Sequence, residues 1–346
     1  MTTTKKIMVG MSGGIDSSVT AYMLQKDGYE VEGVYLKLHN RDDGYHEKNL
    51  SHIKEVADFL NIKYHVLDLS KKFTHEIYDY FVQSYLEGTT PNPCVKCNKQ
   101  IKFGSMLEFA QEKNCDFLAT GHYVKTDGKF LYEADDKSKD QSYFLSQVDK
   151  KAIAFMMFPL STYKKEDIIK VGEDLDVAFK KITEKNESQE ICFVETVYTD
   201  VIKKHANIDM PGNVLDEDGN IVGEHKGYMH YTIGKRRGFT VKGAQYPHFV
   251  KELNPKTNTI VVGKKEVLEV NEVIARGLNM FIDDTNFSAS VKLRYRSNST
   301  PCDVEIKDKK AYIKLKEPAF GVASGQLAVF YDGQKVIGSA WIESTK

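Results

Sequence analysis

Two short stretches of this chain hold residue types from which a reaction could be built. The first, Thr89–Phe103 (TTPNPCVKCNKQIKF), sets Cys94 and Cys97 as a C-x-x-C among prolines and lysines. That pattern suits a zinc clip, a redox pair or a sulfur-handling site. Zinc would want a second close pair of ligands, whereas Cys115, Cys192 and Cys302 are scattered. The second stretch is Ser12-Gly13-Gly14-Ile15-Asp16-Ser17-Ser18. Its glycines let the backbone approach an anion with no Cβ in the way. Ser12, Ser17 and Ser18 add hydroxyl donors, and Asp16 is a candidate metal or nucleotide contact. The string is not a G-x-x-x-x-G-K-[ST] loop, so γ-phosphate chemistry is not expected.

Each stretch needs a support. KIMVGM (Lys6–Met11) predicts a buried strand running into the glycines, and Asp16–Lys26 a helix ended by Gly28. The serine–glycine string then lies at a helix N-terminus, whose unpaired amides favour an anion. Val31–Leu38 and Ile62–Leu69 predict further strands, Glu47–Leu60 and Phe73–Leu86 helices. After the cysteine stretch, read as a loop, come a helix over Phe103–Lys113 and a strand over Asp116–Thr120. Strands alternating with helices argue a parallel sheet covered on both faces. Ligands gather at the carboxyl ends of such strands, which moves Gly121 and His122 from an ordinary core position into the ligand crevice. Cys115 and Cys302 read as structural.

From about Pro211 the pattern changes to short apolar runs between turns. Beyond Asn271, SVKLRYRS, DVEIKD, AYIKLKE and QLAVFYDGQKVIGSAWIES alternate apolar and polar residues, as a small barrel would. The polar, lysine-rich stretch 180–209 is expected to be a hinge. Lys235, Arg236 and Arg237 sit in a glycine-framed turn. Lys292, Arg294 and Arg296 alternate with Tyr295 among them, and are expected to point off one strand face toward phosphates. Length, 346 residues, suits two or three domains. A net charge of −1 excludes a global basic field, so any polyanion must be held by local patches. The start lacks a secretory h-region, no apolar run approaches membrane-spanning length, and five scattered cysteines argue against a disulfide framework. A cytoplasmic protein with no membrane partner is expected.

SGGIDSS resembles the pyrophosphate (PP) loop of the ATP-pyrophosphatases, which cleave ATP between the α and β phosphates and adenylate a substrate carbonyl oxygen. TPNPCVKCNKQIKFG (90–104), ATGHY (119–123), KDQSYFL (139–145), ESQEICFV (187–194), GEHKGYMHYTIGKRRG (223–238) and SGQLAVFYDG (324–333) follow in order. Spread over nearly the whole chain, these blocks resemble the bacterial tRNA-specific 2-thiouridylases of the MnmA type. The resemblance implies an α/β fold class: a Rossmann-like parallel-sheet PP-loop domain (1–200), a small central β-rich domain (205–265) and a C-terminal β-barrel (270–346). It implies adenylation of O2 of the wobble uridine, position 34, in tRNAs for Lys, Glu and Gln, then sulfur transfer to C2. ATP and Mg2+ are the implied cofactors, and a cysteine desulfurase or sulfur-relay protein the implied partner.

By the same resemblance Cys97 is the nucleophile and Cys192 the persulfide carrier, and a disulfide between them ends a turnover. Lys96, Lys99 and Lys102 would favour thiolate at Cys97. Gly10, Met11, Ser12, Gly13, Gly14, Ile15, Asp16, Ser17, the backbone of Leu36, and Gly121 map to ATP. Asn92, Pro93, Cys94, His122, Lys139, Asp140, Gln141, Arg294, Tyr295 and Gln326 map to tRNA. One departure matters: the best-studied family members carry Asp where this chain has Cys94, so the role of that Asp is not carried over. Cys94, Cys97 and Cys192 are also a ligand set for a [4Fe-4S] cluster with one iron open to hydrosulfide. Two other readings are another ATP-pyrophosphatase amidating or thiolating a different substrate, and an RNA-binding protein using ATP only structurally. The ICFV cysteine counts against an amidating enzyme, and SGGIDSS with Cys97 and Cys192 against the RNA-binding protein.

Overall fold

The computed structural model describes residues 4–40, 44–175, 179–180, 182 and 191–346. They belong to two compact units, the first of Met1–Ile77, Cys94–Gln189 and Gln334–Val336, the second of Tyr78–Pro93, Glu190–Gly333 and Ile337–Lys346.

In the first unit Ile7, Met8 and Val9 are wholly buried, so β1 (Lys6–Gly10) is apolar on both faces, as a central parallel strand must be. Each such side chain contributes about 1.5–3 kcal/mol by leaving water. β1 pairs in parallel with β2 (Glu30–Lys37), and β2 with β3 (Lys63–Asp68). On its other side β1 pairs with β4 (Phe117–Thr120). A short hairpin, β5 (Lys125–Thr126) and β6 (Leu131–Tyr132), pairs antiparallel with Lys335 and Val336. Then β7 (Met156–Met157) joins β4, and the sheet order is β3-β2-β1-β4-β7. The chain leaves β1 toward β2 and returns to β4 on the other side, so the crevice lies at the carboxyl ends of β1 and β4. Helix α1 (Ile15–Lys26) follows β1, and α2 (Tyr45–Leu60) follows β2. Ile53, Val56, Ala57 and Leu60 recur at helical spacing and bury one face of α2.

Two helices differ from expectation. Ser70–Phe73 (α3) starts upstream of Phe73 because Asp68 Oδ1 accepts from the Ser70 N–H (3.0 Å) and hydroxyl (2.6 Å). It continues as a π-helix over Thr74–Tyr78 and as α4 over Asp79–Leu86. The cysteine stretch, expected to be a loop as far as Phe103, is helical from its second proline. α5 (Pro93–Cys97) runs into a π-helix, Asn98–Ser105, and then α6 (Met106–Glu112). Asparagine before a helix and proline at its first position are start signals, not breaks.

In the second unit a four-stranded sheet is made by β8 (Gly212–Leu215), β9 (Ile221–His225), β10 (Phe249–Asn254) and β11 (Thr259–Gly263). Val214, Val250, Ile260 and Val262 of this sheet pack with Phe81, Tyr85, Val201 and Ile202. Beyond it β12 (Glu269–Met280), β13 (Asn286–Lys292), β14 (Thr300–Lys307), β15 (Lys310–Phe320), β16 (Leu327–Asp332) and β17 (Lys335–Thr345) follow in the order β12-β15-β14-β13-β16-β17. Pairing of β12 with β17 closes them into a barrel. The expected architecture, a Rossmann-like α/β domain, a β-rich centre and a C-terminal barrel, is present. The expected strand face at Lys292, Arg294 and Arg296 is not. β13 stops at Lys292, and Ser297 turns the chain, its hydroxyl accepting from the Arg294 N–H (3.3 Å) and donating to the Arg294 carbonyl (2.9 Å). Of the expected hinge, 181 and 183–190 lie outside the described residues, as do 187–190 of the ESQEICFV block; Tyr198–Lys203 within it is a helix. Among the described residues no helix is long and apolar enough to cross a membrane.

Candidate active site

The phosphate loop follows β1 directly. Gly14 is the N-cap of α1 and offers no side chain to its first amides, which leaves them to an anion. The serines brace the loop from within. Ser17 Oγ accepts from the Ser12 N–H (3.1 Å) and donates to the Gly14 carbonyl (3.0 Å), to which Ser18 Oγ also donates (3.1 Å). Gly13 needs φ +76°, and a Cβ there would meet the Asn49 carbonyl at 3.0 Å. Gly121, just past β4, lies against the loop: a Cβ would fall 2.9 Å from Asp16 Cβ and 3.0 Å from the Ser17 nitrogen. Its glycine identity is thus required by close approach. Leu36 sits near the carboxyl end of β2, paired in register with Leu67.

Asp16 has two partners that the sequence did not advertise. Lys165 Nζ lies 2.7 Å from both carboxylate oxygens, and the Tyr123 hydroxyl donates to Oδ1 at 2.9 Å. Lys165 is buried at the start of α8 (Lys165–Leu175), the helix that follows α7 (Ser142–Leu145) in the chain. Nothing in YKKED marks Lys165 over its neighbour. Tyr123 closes the ATGHY block, which was its one available signal.

The residue after Gly121 turns to the cysteine helix. His122 is buried beside the Phe103 and Phe158 rings, and Lys102 Nζ lies 3.2 Å from its Nε2. With the ammonium donating to Nε2, the ring proton sits on Nδ1 and goes to Thr120 Oγ1, 2.7 Å away. Burial first, and then the Lys102 charge, hold His122 well below its ordinary value, so the ring is neutral. Cys94 and Cys97 stand at i and i+3 of one helix and share a face. Burial pushes the half-buried Cys94 thiol up, and the Lys102 charge pulls it back. Lys102 acts on Cys94, Lys99 is exposed, and burial lowers the half-buried Lys96 amine against the pull of Glu76. Beside Cys97, buried Asn98 donates to the Phe144 carbonyl of α7 (3.1 Å) and leaves its Oδ1 without a partner among the described residues.

Cys192 belongs to the second unit and is exposed. It stands in a turn closed by the Val194 N–H donating to the Ile191 carbonyl (2.8 Å), and Phe193 anchors that turn edge-on against Phe81 (5.1 Å). All five cysteines are thiols here. Cys115 and Cys302 are buried, and burial raises them to about 11 and about 12, which suits structural thiols. Among the described residues no three metal-capable side chains are gathered. The thiols of the expected iron–sulfur ligand set are divided between the units, Cys94 and Cys97 in the first and Cys192 in the second.

The residues mapped to tRNA have varied settings. Asp140 is buried, accepting from the Ala134 N–H (3.0 Å), the Ser142 N–H (3.3 Å) and the Ser142 hydroxyl (2.8 Å). Gln141 is held by Tyr123, and Lys139 is half-buried. In the second unit Asn92 and Pro93 are buried, and Gln326 Nε2 donates to the Thr90 (3.1 Å) and Pro91 (3.2 Å) carbonyls, holding the loop before them. Arg294 and Arg296 are exposed on their turn, with Tyr295 half-buried among them.

A parallel sheet whose first strand ends in a serine–glycine–aspartate loop, with a thiol-bearing helix at the same crevice, defines a nucleotide-using enzyme of the ATP-pyrophosphatase class. Family comparison agrees: residues 5–196 match the family described as tRNA methyl transferase HUP domain, 199–264 its PRC-barrel domain, and 271–342 the aminomethyltransferase beta-barrel domain. The chain is 78% identical to tRNA-specific 2-thiouridylase MnmA 1 of Aliarcobacter butzleri over 342 residues, 99% of each chain. It is 52% identical to tRNA-specific 2-thiouridylase MnmA of Sulfurimonas denitrificans over 339 residues, 98% of this chain and 99% of that one. A Campylobacter jejuni protein of the same name is also 52% identical over 339 residues, covering 98% of this chain and all of the other. The chain belongs to the tRNA-specific 2-thiouridylase (MnmA) family.

Proposed function

We propose that this chain is a tRNA 2-thiouridylase, which adenylates O2 of uridine 34 in tRNAs for Lys, Glu and Gln at the expense of ATP and places sulfur on C2. The observation that carries the reading is the Gly121–His122 step. Gly121 lies against Asp16 and Ser17, and His122 is bonded to Lys102 of the cysteine helix. A nucleotide on the loop and a base before the cysteines would then be neighbours. The reading takes a catalytic domain at 1–200, a central domain at 205–265 and a barrel at 270–346, acting in the cytoplasm with a cysteine desulfurase or sulfur-relay protein as donor.

In this reading Gly10 to Ser17, Gly121 and the Leu36 backbone hold ATP, with loop amides and hydroxyls on the phosphates. The Asp16 carboxylate would supply oxygen to Mg2+, which prefers oxygen donors, once the Lys165 ammonium now on both its oxygens moves to the phosphates. When bound, that ion neutralises charge on the departing pyrophosphate. Neutral His122 keeps its ring in place without competing for the phosphate. Adenylation turns O2 into a leaving group, AMP. Cys192 carries sulfur as a persulfide. The Cys97 thiolate attacks the inner sulfur of that persulfide, breaking the S–S bond and releasing hydrosulfide, which adds to C2 and expels AMP. An external dithiol reductant reopens the resulting Cys97–Cys192 disulfide. Asn92, Pro93 and Cys94 line the base, and Lys139–Gln141, Arg294, Tyr295 and Gln326 meet the tRNA.

Cys94 favours a second reading of the sulfur source, a [4Fe-4S] cluster on Cys94, Cys97 and Cys192. Purification without oxygen and an iron count separate the two. The function itself is tested with unmodified tRNA, ATP and a persulfide or sulfide source, reading AMP, pyrophosphate and 2-thiouridine. Wild-type protein is expected to form all three, and Asp16→Ala none. Absence of 2-thiouridine with both sulfur sources overturns the reading.

A further inference from the structure

Asp16 is tied to a segment far away in sequence. Its two donors, Lys165 and Tyr123, are both fastened to residues 136–141. The Gln141 N–H donates to the Tyr123 carbonyl (2.8 Å), and the Tyr123 N–H donates to Gln141 Oε1 (2.9 Å). The Lys165 N–H donates to Asp136 Oδ2 (3.2 Å). Asp140 stiffens the same segment through its three accepted bonds. The middle of this arrangement is packed: Tyr123 is 3% exposed and Lys165 8%. Packed interiors shift between discrete arrangements more readily than they deform. A change of place at Gln141 therefore reaches the Tyr123 hydroxyl, and through it Asp16. The ammonium adds weight, because a charge buried this far needs an anion close by. If another ligand claims Asp16, Lys165 must find a new anion, and the triphosphate is at hand.

We propose that Tyr123 and Lys165 are positioning residues that couple the two substrates, transmitting occupancy of Lys139–Gln141 by tRNA to Asp16 in the phosphate loop. The inference rests on the reading of Lys139–Gln141 as a tRNA contact. Its value to the enzyme is chemical: ATP would be cleaved only with an acceptor oxygen present, so no pyrophosphate is lost to water. Nothing local in the sequence hints at it, since Asp16 and Lys165 are 149 positions apart.

The test measures binding, where coupling is reciprocal. The dissociation constant of an ATP analogue with a methylene bridge between α and β phosphates is taken with and without saturating unmodified tRNA. Wild type is expected to show a ratio of about fivefold or more, the lower end of ordinary coupling. Tyr123→Phe keeps the packed ring and removes only the hydroxyl, so each variant serves as its own reference through the ratio. The ratio is expected to fall to within about twofold of one. A merely structural role would lower melting temperature or both affinities and leave the ratio standing. Should Tyr123→Phe fail to fold, Lys165→Gln decides in its place. An uncoupled wild type, or a variant with wild-type coupling, overturns the proposal while thiolation by the wild type leaves the underlying function intact. A wild type that makes no 2-thiouridine overturns that function instead.

Discussion

Cys97 and Cys192 differ in almost everything except their element. Cys97 is 7% exposed, on a helix whose next turn is wound as a π-helix and whose neighbours are packed. Cys192 is exposed on a turn held down by the residues after it, Phe193 and Val194. In the proposed relay Cys97 must meet one sulfur atom next to the activated base, and such a group benefits from being fixed beforehand. A group that must collect sulfur from another protein has to be reachable from outside. The difference between the two sites fits the proposed division of sulfur transfer between a fixed nucleophile and a reachable carrier.

The comparison is broken most sharply by removing each thiol. Cys97→Ser and Cys192→Ser are each expected to lower thiolation by about 10³-fold or more, the scale on which removal of a nucleophile is felt, measured as 2-thiouridine formed with a persulfide donor. Either variant turning over at the wild-type rate would end the division of labour. Alkylation sharpens the contrast more gently. Cys192 is expected to react with a small haloacetamide at least about tenfold faster than Cys97, followed by peptide mass analysis, because access limits the buried thiol. Cys94 extends this with pH. Its folded value is raised, so thiolate forms only above the ordinary thiol value of about 8.5. Its labelling is expected to keep rising with pH beyond that point, and a plateau below it would contradict the assigned burial. Arginines of the barrel test a third and weaker contribution. Arg294→Ala with Arg296→Ala is expected to reduce the salt slope of tRNA binding by about one to two, with an unchanged slope leaving them as solvated surface. The smallest effect belongs to the anchor of the Cys192 turn. Phe193→Leu keeps an apolar side chain while losing the edge-on contact with Phe81, worth about 0.5–1.5 kcal/mol. It should lower the melting temperature by a few degrees and leave nucleotide binding alone.

Much of the first unit was legible because its signals are local. The apolar run of β1, the glycines after it and the helical spacing of α2 each report on their immediate surroundings. The same locality explains the errors. Alternation from Lys292 to Arg296 looks like a strand, but the hairpin to β14 needs a turn there and Ser297 makes it. The prolines around Cys94 look like loop punctuation, yet one of them opens a helix, so the two cysteines stand on a rigid support instead of a pliant one.

What the sequence determined by itself was which groups are present: a serine–glycine–aspartate loop after a buried strand, a C-x-x-C with a later cysteine, and a sheet to carry the loop at its carboxyl edge. Those follow from short-range rules, since a glycine's freedom and a strand's burial pattern depend on a few neighbours. Only the tertiary structure decided what those groups touch. That Gly121 presses on Asp16 while His122 takes Lys102, and that Lys165 and Tyr123 share one carboxylate, depends on pairings across long stretches of chain. Such pairings leave no periodic trace in sequence, because charge and hydrogen bonding act through space and the fold alone sets the distance.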